Sequence, residues 1–407
     1  MIKIRRSASG RLTQVAAAAL IAAAGLVAAA GLAGALASGP AAGASPAARQ
    51  AAAATPTWRV QAPPEPAGTT GQAFGALSCS SSSACLAIAT HDYDEHGYGQ
   101  YAETWNGSRW TLRTVPKAAD IYLYGVKCRS AQWCVAVGAI GGGPVVDRWN
   151  GSGWKQARPP VPVGATTSAL TAVACSGTAA CTAIGESEKG GGTPSLLTER
   201  WNGSAWKIQP VPAPPAGHGV LSAVACPAAD ACRAVGSYRG GLFSEVWTGS
   251  SWLIRPVPVP TGGSDADLAA VSCPAADSCE AVGTYSNSNG RTFLPLAEAW
   301  NGSRWLAQAP PAVSGTTSSG LDAVSCVSAT DCEAAGPPGT MAVPPQAGVL
   351  EKWNGATWSV QEKVLPAGDK WALLSGISCT TGPVCEAVGY HDPAAGSTHL
   401  LALRYSA

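Results

Sequence analysis

The sequence predicts an all-β fold, a seven-bladed β-propeller of four-stranded blades, from three observations on its 407 residues. Cysteines recur as seven pairs with one spacing, C-x5-C, and successive pairs start 47 to 53 residues apart. A tryptophan motif, W-[NT]-G-x-x-W, recurs six times in phase with the cysteines. Half of a seventh motif stands at each end of the chain. A period near 50 residues is typical of solenoids and propellers.

Each repeat contains four predicted strands, named a to d in chain order. In the fifth repeat, strand a covers Leu268–Cys273, strand b covers Cys279–Tyr285 and strand c ends at Trp300. Strand d starts at the second tryptophan and ends at a proline cluster, because proline cannot donate to a ladder. The Asn-Gly pair between c and d predicts a two-residue hairpin turn with positive φ at both residues. Four-stranded units repeated about an axis form a propeller.

The seventh repeat is divided between the two chain ends. Near the N-terminus, the segment that starts at Trp58 matches the strand d that starts at Trp206. At the C-terminus, Leu401–Tyr405 matches Leu296–Trp300 of strand c. An open solenoid gives no reason for this division, whereas in a ring one shared sheet joins both ends. We therefore expect the N-terminal strand to complete the last blade and close the propeller.

Over residues 56–407 the chain resembles the kelch-like propellers. The resemblance rests on the repeat period, on a tryptophan that starts strand d, and on a glycine that ends strand b, as at Gly236, Gly283 and Gly389. The chain departs from the kelch pattern because it has one glycine where kelch repeats have two, and because it adds the C-x5-C hairpin. It also resembles uncharacterised secreted repeat proteins of high-GC Gram-positive bacteria, a resemblance that implies no activity.

The cysteines indicate disulfide bonds within each pair. An even number at uniform spacing in an exported chain favours a disulfide framework, and facing residues of a hairpin are close enough to be bridged. Zinc is the alternative, but zinc sites need partner ligands nearby, and no histidine recurs with the pairs. The predicted bonds are Cys79–Cys85, Cys128–Cys134, Cys175–Cys181, Cys226–Cys232, Cys273–Cys279, Cys326–Cys332 and Cys379–Cys385.

The charge limits the classes of partner, and the N-terminal segment indicates where the protein is located. Charged residues make up 13% and the net charge is +1, which excludes an electrostatic nucleic-acid binder. Four basic residues precede an apolar stretch over 15–37, which predicts a secretory signal peptide at 1–37; an uncleaved anchor is the alternative. Residues 38–55 form a predicted Ala/Gly/Pro-rich spacer before the propeller at 56–407. We expect a secreted monomer with no membrane span after cleavage.

Connection lengths predict which face of the propeller binds. The a–b and c–d turns are short and nearly constant in length, and together they form what we call the turn face. The b–c and d–a connections vary in length and sequence, and together they form the loop face. Because binding sites favour loops on a rigid scaffold, we place the site on the loop face.

Histidines and acids of repeats one and seven are the candidate binding residues. His91-Asp92 and His391-Asp392 lie six and seven residues after the second cysteine of their repeats, which are neighbours in a closed ring. Such a corner offers a polar pocket, a divalent-metal site or an acid–base pair, and the alternative is solvated loop residues. We assign no catalytic residue, metal or cofactor. The candidates are His91, Asp92, Asp94, His96, His391 and Asp392.

Other recurring residues indicate structural roles. Glutamates recur near the end of strand c, which suits packing rather than a single active site. The tryptophans favour inter-blade packing over a sugar platform, whereas Trp133 and Trp371 stand outside the motif and are better candidates for exposed contacts. The N-G-S sequons favour turn residues over glycan acceptors. The recurrent acids are Glu103, Glu199, Glu245, Glu298 and Glu351, and the sequon residues are Asn106, Asn150, Asn202 and Asn301.

These features favour a secreted, non-enzymatic propeller that binds a protein or a polysaccharide at the cell envelope through its loop face. The alternative function is a polysaccharide-active hydrolase or lyase, which needs two facing carboxylates or a His/Tyr pair in the propeller funnel. A copper-radical oxidase is excluded, because it needs an unpaired cysteine and all 14 cysteines are predicted to pair.

Overall fold

The computed structural model describes residues 56–407 except 94–96, 116–120, 216, 288–291, 314–318, 338–345, 383, 394–396 and 407. The chain divides into two units, Met1–Thr55 and Pro56–Ala407. The first unit lies outside the described residues, and so do the predicted signal peptide and spacer. Within the described part, no helix is long and apolar enough to cross a membrane.

The described residues form 28 strands in seven antiparallel sheets of four. Blade one contains β2 (Thr70–Ser81), β3 (Ala84–Tyr93), β4 (Gly97–Trp105) and β5 (Trp110–Thr114). Blade two contains β6 (Ile121–Ser130), β7 (Trp133–Ile140), β8 (Gly143–Trp149) and β9 (Trp154–Ala157). Blade three contains β10 (Thr167–Gly177), β11 (Ala180–Glu188), β12 (Ser195–Trp201) and β13 (Trp206–Gln209).

The remaining four blades repeat the same order of strands. Blade four contains β14 (Gly219–Ala228), β15 (Ala231–Tyr238), β16 (Gly241–Trp247) and β17 (Trp252–Val257). Blade five contains β18 (Ser264–Ala275), β19 (Ser278–Ser286), β20 (Phe293–Trp300) and β21 (Trp305–Gln308). Blade six contains β22 (Ala323–Ser328), β23 (Asp331–Gly336), β24 (Gly348–Trp353) and β25 (Trp358–Val364). Blade seven contains β26 (Trp371–Thr380), β27 (Val384–Asp392), β28 (His399–Ser406) and the N-terminal β1 (Thr57–Gln61).

The seven sheets close into a ring. The first strand of each blade contacts the first strands of both neighbouring blades, and β2 contacts β26 to complete the circuit. These strands are therefore the innermost, and the fourth strand of each sheet is the outermost. The prediction of a seven-bladed propeller is confirmed.

The N-terminal strand closes the ring as predicted. Strand β1 pairs with β28, and Trp58 lies opposite Tyr405 with 5.3 Å between ring centroids. Trp58 Nε1 donates a hydrogen bond of 2.6 Å to Oε1 of Gln361 in the neighbouring blade six. On the inner side, the Cys79 amide donates to Ser378 Oγ over 2.9 Å, which joins blade one to blade seven. The first and last described strands, β1 and β28, thus lie in one blade.

The glycine in strand b has a steric cause that the sequence comparison did not identify. In blades two to five and in blade seven the innermost strand has a β-bulge at this register, as between Leu221 and Ala223, and in blades two to seven a backbone carbonyl lies against the facing strand. A Cβ on Gly236 would overlap the carbonyl oxygen of Val220. Equivalent overlaps occur at Gly138, Gly185, Gly283, Gly336 and Gly389. Six blades therefore need glycine here for close backbone approach.

The cysteines form the seven predicted disulfides, and none of the 14 is free. In blade one, Cys79 and Cys85 lie directly opposite each other, and Ser81 pairs with Ala84 beyond them. The turn of the hairpin therefore contains two residues and is shorter than the five-residue turn expected from the spacing. A framework of seven disulfides is typical of proteins in an oxidising environment.

The prediction of a two-residue c–d hairpin is wrong. Trp105 pairs with Trp110, so four residues form the turn, and only Gly107 has positive φ. Asn106 Oδ1 instead accepts hydrogen bonds of 3.0 Å from the amides of Ser108 and Arg109. The side chain organises the turn, because an asparagine oxygen can satisfy nearby backbone amides. This explains the recurrent asparagine without invoking a glycan.

The paired tryptophans pack against each other across this turn. Ring centroids within the six pairs lie 5.4 to 5.9 Å apart. The first tryptophan also reaches back to the a–b turn, as Trp105 Nε1 donates to the Ser82 carbonyl over 3.2 Å. Most of the rings are buried. Their repetition follows from packing, in agreement with the sequence analysis.

The variant Gly236→Ala tests the steric role of the strand-b glycine. We expect the free energy of unfolding to fall by about 1–3 kcal/mol, because the methyl group must displace backbone atoms. Gly153→Ala is the matched control, since a Cβ there meets no heavy atom within 4 Å, and its effect should stay within about 0.5 kcal/mol. Equal stability of the two variants in chemical denaturation would contradict the explanation.

The variant Trp58→Ala tests closure of the ring. The side chain is 8% exposed, and its removal deletes the contact with Tyr405 and the hydrogen bond to Gln361. A loss of about 3–5 kcal/mol in unfolding free energy is expected. Arg59→Ala changes an exposed residue of the same strand and should be nearly neutral. If both variants unfold at the same denaturant concentration, β1 does not hold the ring closed.

Candidate functional site

His91, a predicted site residue, lies in a packed position. Its side chain is 3% exposed, and its ring centroid is 5.5 Å from that of Tyr101. Burial lowers the pKa of His91, while the backbone and charge of Asp92 raise it to a lesser extent. The neutral imidazole is therefore favoured, and the ring is part of the blade-one core.

The equivalent positions of the other repeats help to explain this burial. Six residues after the second cysteine, other blades place Ile140, Ser187, Tyr238 and Tyr285. Ile140 and Ser187 are both 6% exposed, and Tyr238 packs on Phe243. The position is thus buried in blades one to three and partly buried in blades four, five and seven, so histidine at this register does not by itself indicate a binding residue.

The acids predicted beside His91 are only partly described. Asp92 is half-buried and its backbone pairs with Thr70. Burial raises the pKa of the Asp92 carboxyl, and the charge of His91 lowers it to a smaller extent. Asp94 and His96 lie outside the described residues. Among the described residues, no three His, Cys, Asp or Glu side chains are arranged to hold a metal ion.

His391, in blade seven, has a carboxylate partner that the sequence analysis missed. Its Nδ1 lies 2.6 Å from Oδ2 of Asp369, whose side chain is 3% exposed, while His391 is 21% exposed. Asp369 belongs to the d–a connection that precedes β26. Asp392 follows His391, and its Oδ1 is buried without a hydrogen-bond partner among the described residues. The buried carboxylate fixes the ring of a partly accessible histidine.

A second histidine–carboxylate pair lies beside the first. His399 on β28 is the cross-strand partner of His391 on β27, and their ring centroids are 5.9 Å apart. His399 Nδ1 lies 3.0 Å from Oε2 of Glu65. Glu65 comes from the connection between β1 and β2, which crosses from blade seven to blade one. The candidates predicted from the sequence came from the b–c loops, although the d–a connections lie on the same face.

An aromatic pair lies on the opposite face of the same strands, because Tyr390 and His391 are consecutive residues of β27, and it belongs to what we call the blade-seven corner at this end of the sheet. Trp371 and Tyr390 meet edge to face at 87° with 5.1 Å between ring centroids, and both are half-buried. Trp371 was predicted to be available for contacts, and it lies opposite Asp392 in the sheet. The other such residue, Trp133, packs against the core of blade three. The blade-seven corner consists of Glu65, Asp369, Trp371, Tyr390, His391 and His399.

The recurrent acids of strand c are interior residues. All are at most 1% exposed, and a sixth member, Asp147, joins the five glutamates that the sequence analysis identified. Neither carboxyl oxygen of those five glutamates has a hydrogen-bond partner among the described residues. Burial raises the pKa of Glu103, Glu199, Glu245, Glu298 and Glu351 to about 8. They are too deeply packed to reach a substrate, as expected of a structural role.

Two further carboxyl groups lie at the innermost strands of neighbouring blades. Asp267 on β18 accepts a hydrogen bond of 2.6 Å from Ser237 Oγ. Burial and, to a smaller extent, the charge of Asp267 raise the pKa of Asp322 to about 7. The amide of Asp322, immediately before β22, donates to the Ala335 carbonyl over 2.9 Å. These acids were not singled out from the sequence, because each occurs in one blade only.

No model of a known protein family matches the sequence, and no curated protein resembles it. The fold is similar to that of several solved structures. YCF48 bound to D1 peptide is 16% identical with a TM-score of 0.50, over 86% of this chain and 95% of that chain. RRP9 WD40 repeats are 10% identical with a TM-score of 0.51, over 86% and 100%. The extracellular domain of BT4673 from B. thetaiotaomicron is 10% identical with a TM-score of 0.52, over 85% and 40%. At these identities the likeness concerns the propeller fold alone.

The buried carboxyls predict that stability falls as pH rises. An unfolded glutamate has a pKa of about 4.3, whereas burial raises the pKa of Glu245 to about 8. The folded state therefore retains a proton that the unfolded state releases, so stability is full below about pH 4 and declines up to about pH 8. The other four glutamates shift in the same direction, so the melting temperature should fall steadily over this range.

Glu245→Gln provides the test, because a neutral amide of the same shape removes the titration. We expect a higher melting temperature than wild type at about pH 8, and a smaller decline between about pH 5 and about pH 8. Glu362→Gln, at an exposed position, is the control and should follow the wild-type curve. A Glu245→Gln variant that tracks the wild type at every pH would show that the Glu245 carboxyl does not retain its proton.

Proposed function

We propose that this protein is a secreted, non-enzymatic propeller that binds a protein or a polysaccharide at the cell envelope through its loop face. The observation that carries the proposal is the blade-seven corner. The turn face consists of disulfide-linked hairpins and asparagine turns that repeat around the ring. The corner instead combines side chains that occur together in no other described blade, on connections supported by rigid strands.

The side chains of the corner suit recognition of a polar ligand. His391 is held through Nδ1 by Asp369, so its opposite ring nitrogen has a fixed direction, whereas His399 is held by Glu65 through Nδ1 and by Ser397 through Nε2. On the other face of the sheet, the edge-to-face pair of Trp371 and Tyr390 adds a rigid apolar surface of low conformational entropy. Fixed polar groups and aromatic rings are the usual composition of a ligand site. Both an extended peptide and a sugar chain offer the matching hydroxyl and amide groups.

Export of the protein is part of the proposal. The basic and apolar N-terminal segment at 1–37 has the composition of a signal peptide, and residues 38–55 act as a spacer. The seven disulfides are consistent with an oxidising compartment. We further assign the propeller to the kelch-like type found in secreted proteins of high-GC Gram-positive bacteria, on the basis of the strand-b glycine and the strand-d tryptophan.

A hydrolase or lyase acting on polysaccharides is the second candidate, and one observation favours it. Asp322 and Asp267 lie at adjacent innermost strands, and the pKa of Asp322 is raised to about 7. A carboxylic acid that stays protonated near neutral pH, with a second carboxyl group on the adjacent strand, suits general acid catalysis of glycosidic cleavage. Cleavage that is abolished by Asp322→Asn would favour this function over binding alone.

Binding is tested with the chain from residue 38 onward on glycan arrays and in pull-downs from cell-envelope extracts. For a glycan or protein identified in this way, we expect Trp371→Ala and His391→Ala to weaken binding by about tenfold or more, because each removes a central contact. Arg109→Ala changes an exposed residue of the turn face and should leave affinity unchanged. A loss of binding confined to Arg109→Ala would place the site on the turn face and contradict the proposal.

A further inference from the structure

Ser397, His399 and Glu65 form an ordered chain of hydrogen bonds at the edge of the blade-seven corner. Ser397 Oγ lies 3.2 Å from His399 Nε2. The opposite ring nitrogen, Nδ1, lies 3.0 Å and 3.2 Å from the two oxygens of Glu65. A hydroxyl on one imidazole nitrogen and a carboxylate on the other is the arrangement that activates a nucleophilic serine.

The histidine is held in this orientation by the carboxylate and the strand together. Glu65 Oε1 also accepts a hydrogen bond of 3.0 Å from the amide of Leu400, which is 4% exposed. The same carboxylate therefore contacts both the ring of His399 and the backbone next to it. A carboxylate on Nδ1 places the hydrogen there and leaves Nε2 as the acceptor for the serine proton.

A second set of contacts fixes the backbone between Ser397 and His399. The carbonyl of Thr398 accepts a hydrogen bond of 2.9 Å from the amide of Gln72 in blade one. Gln72 is 2% exposed, and its Oε1 accepts a bond of 2.8 Å from the Tyr101 hydroxyl. The segment is thus attached to the buried junction between blades one and seven. Such support is what a preorganised site requires.

The three groups remain accessible to a small ligand. The side chains of His399 and Glu65 are 39% and 28% exposed, and Ser397 is half-buried. Buried structural networks of this type exclude solvent, whereas this one opens on the loop face. The accessibility of His399 distinguishes it from His91, which is 3% exposed and packs in the core.

We propose that Ser397 is a nucleophile that accepts acyl groups from carboxylic esters, with His399 as general base and Glu65 as the residue that orients it. Ser397 Oγ forms a bond to the ester carbonyl carbon while His399 Nε2 takes its proton. The carbon–oxygen bond to the alcohol then breaks, and the alcohol leaves with that proton. Water hydrolyses the acyl-serine by the same route, with no change in oxidation state.

This activity goes beyond the proposed binding function and does not depend on it. His399 and Glu65 belong to both sites, whereas Ser397 is required for acyl transfer alone and Trp371 and His391 are required for binding alone. The two proposals can therefore fail separately: a Ser397→Ala protein that binds its ligand normally but no longer reacts would support both. Loss of binding in Trp371→Ala with unchanged reaction at Ser397 would likewise separate them.

The experiment uses a fluorophosphonate probe and p-nitrophenyl acetate on the chain from residue 38 onward. We expect one phosphonate per protein, located on Ser397 by peptide mass spectrometry, and release of p-nitrophenol. Ser397→Ala should abolish both. His399→Gln and Glu65→Gln should slow labelling by at least about tenfold, since each breaks one link of the chain. Ser250→Ala, in an exposed turn of the opposite face, is the matched serine control and should react like wild type.

The labelling rate of a folded variant distinguishes a general base from a structural histidine. His399→Gln should label at least about tenfold more slowly than the wild type, while thermal unfolding shows that the variant is folded. The proposal is overturned if the probe labels another residue, if Ser397→Ala reacts at the wild-type rate, or if folded His399→Gln keeps the wild-type rate.

Discussion

Closure of the ring is the physical constraint on which the rest of this structure depends. A β-sheet must cover its apolar faces, and each blade covers its faces with its neighbours. The core at the junction shows this directly, because Phe74 and Tyr101 of blade one pack in one cluster with Val388 and Leu400 of blade seven. Without β1, blade seven would lack its outer strand and the Trp58 contact to blade six. The apolar faces of the other blades stay buried because this junction keeps the ring closed.

The crowding of innermost strands near one axis determines much of the composition. Bulges and glycines let backbones approach closely, as at Gly236, and short disulfide-linked hairpins hold the narrow ends of the sheets. The same packing encloses a carboxyl group in six blades. Burial makes the neutral acid the stable form, so the low charged content of the chain and the raised pKa of Glu245 have one origin. The repeat thus combines a rigid scaffold with a stability that depends on proton binding.

Functional features lie where the repetition ends. Blade seven is assembled from both chain ends, and the connection that leaves β1 must cross the junction to reach β2. That crossing places Glu65 beside His399 and Leu400. In the preceding blade the d–a connection brings Asp369 to His391. Glu65 lies beside His399 because, among the described blades, this is the one that two distant segments complete, whereas Asp369 reaches His391 through an ordinary d–a connection.

The sequence by itself determined the fold: the cysteine and tryptophan periods predicted seven four-stranded blades, and the split motif predicted the pairing of Trp58 with Tyr405. Such features are local or periodic, so spacing alone specifies them. The c–d turn was misjudged because the Asn106 side chain, rather than its φ angle, organises the backbone. Only the tertiary structure decided which histidines have carboxylate partners, and that His91 is buried while His399 is accessible. Glu65 and His399 are separated by more than 300 residues, and no pattern in the chain relates them until closure of the ring brings its two ends together.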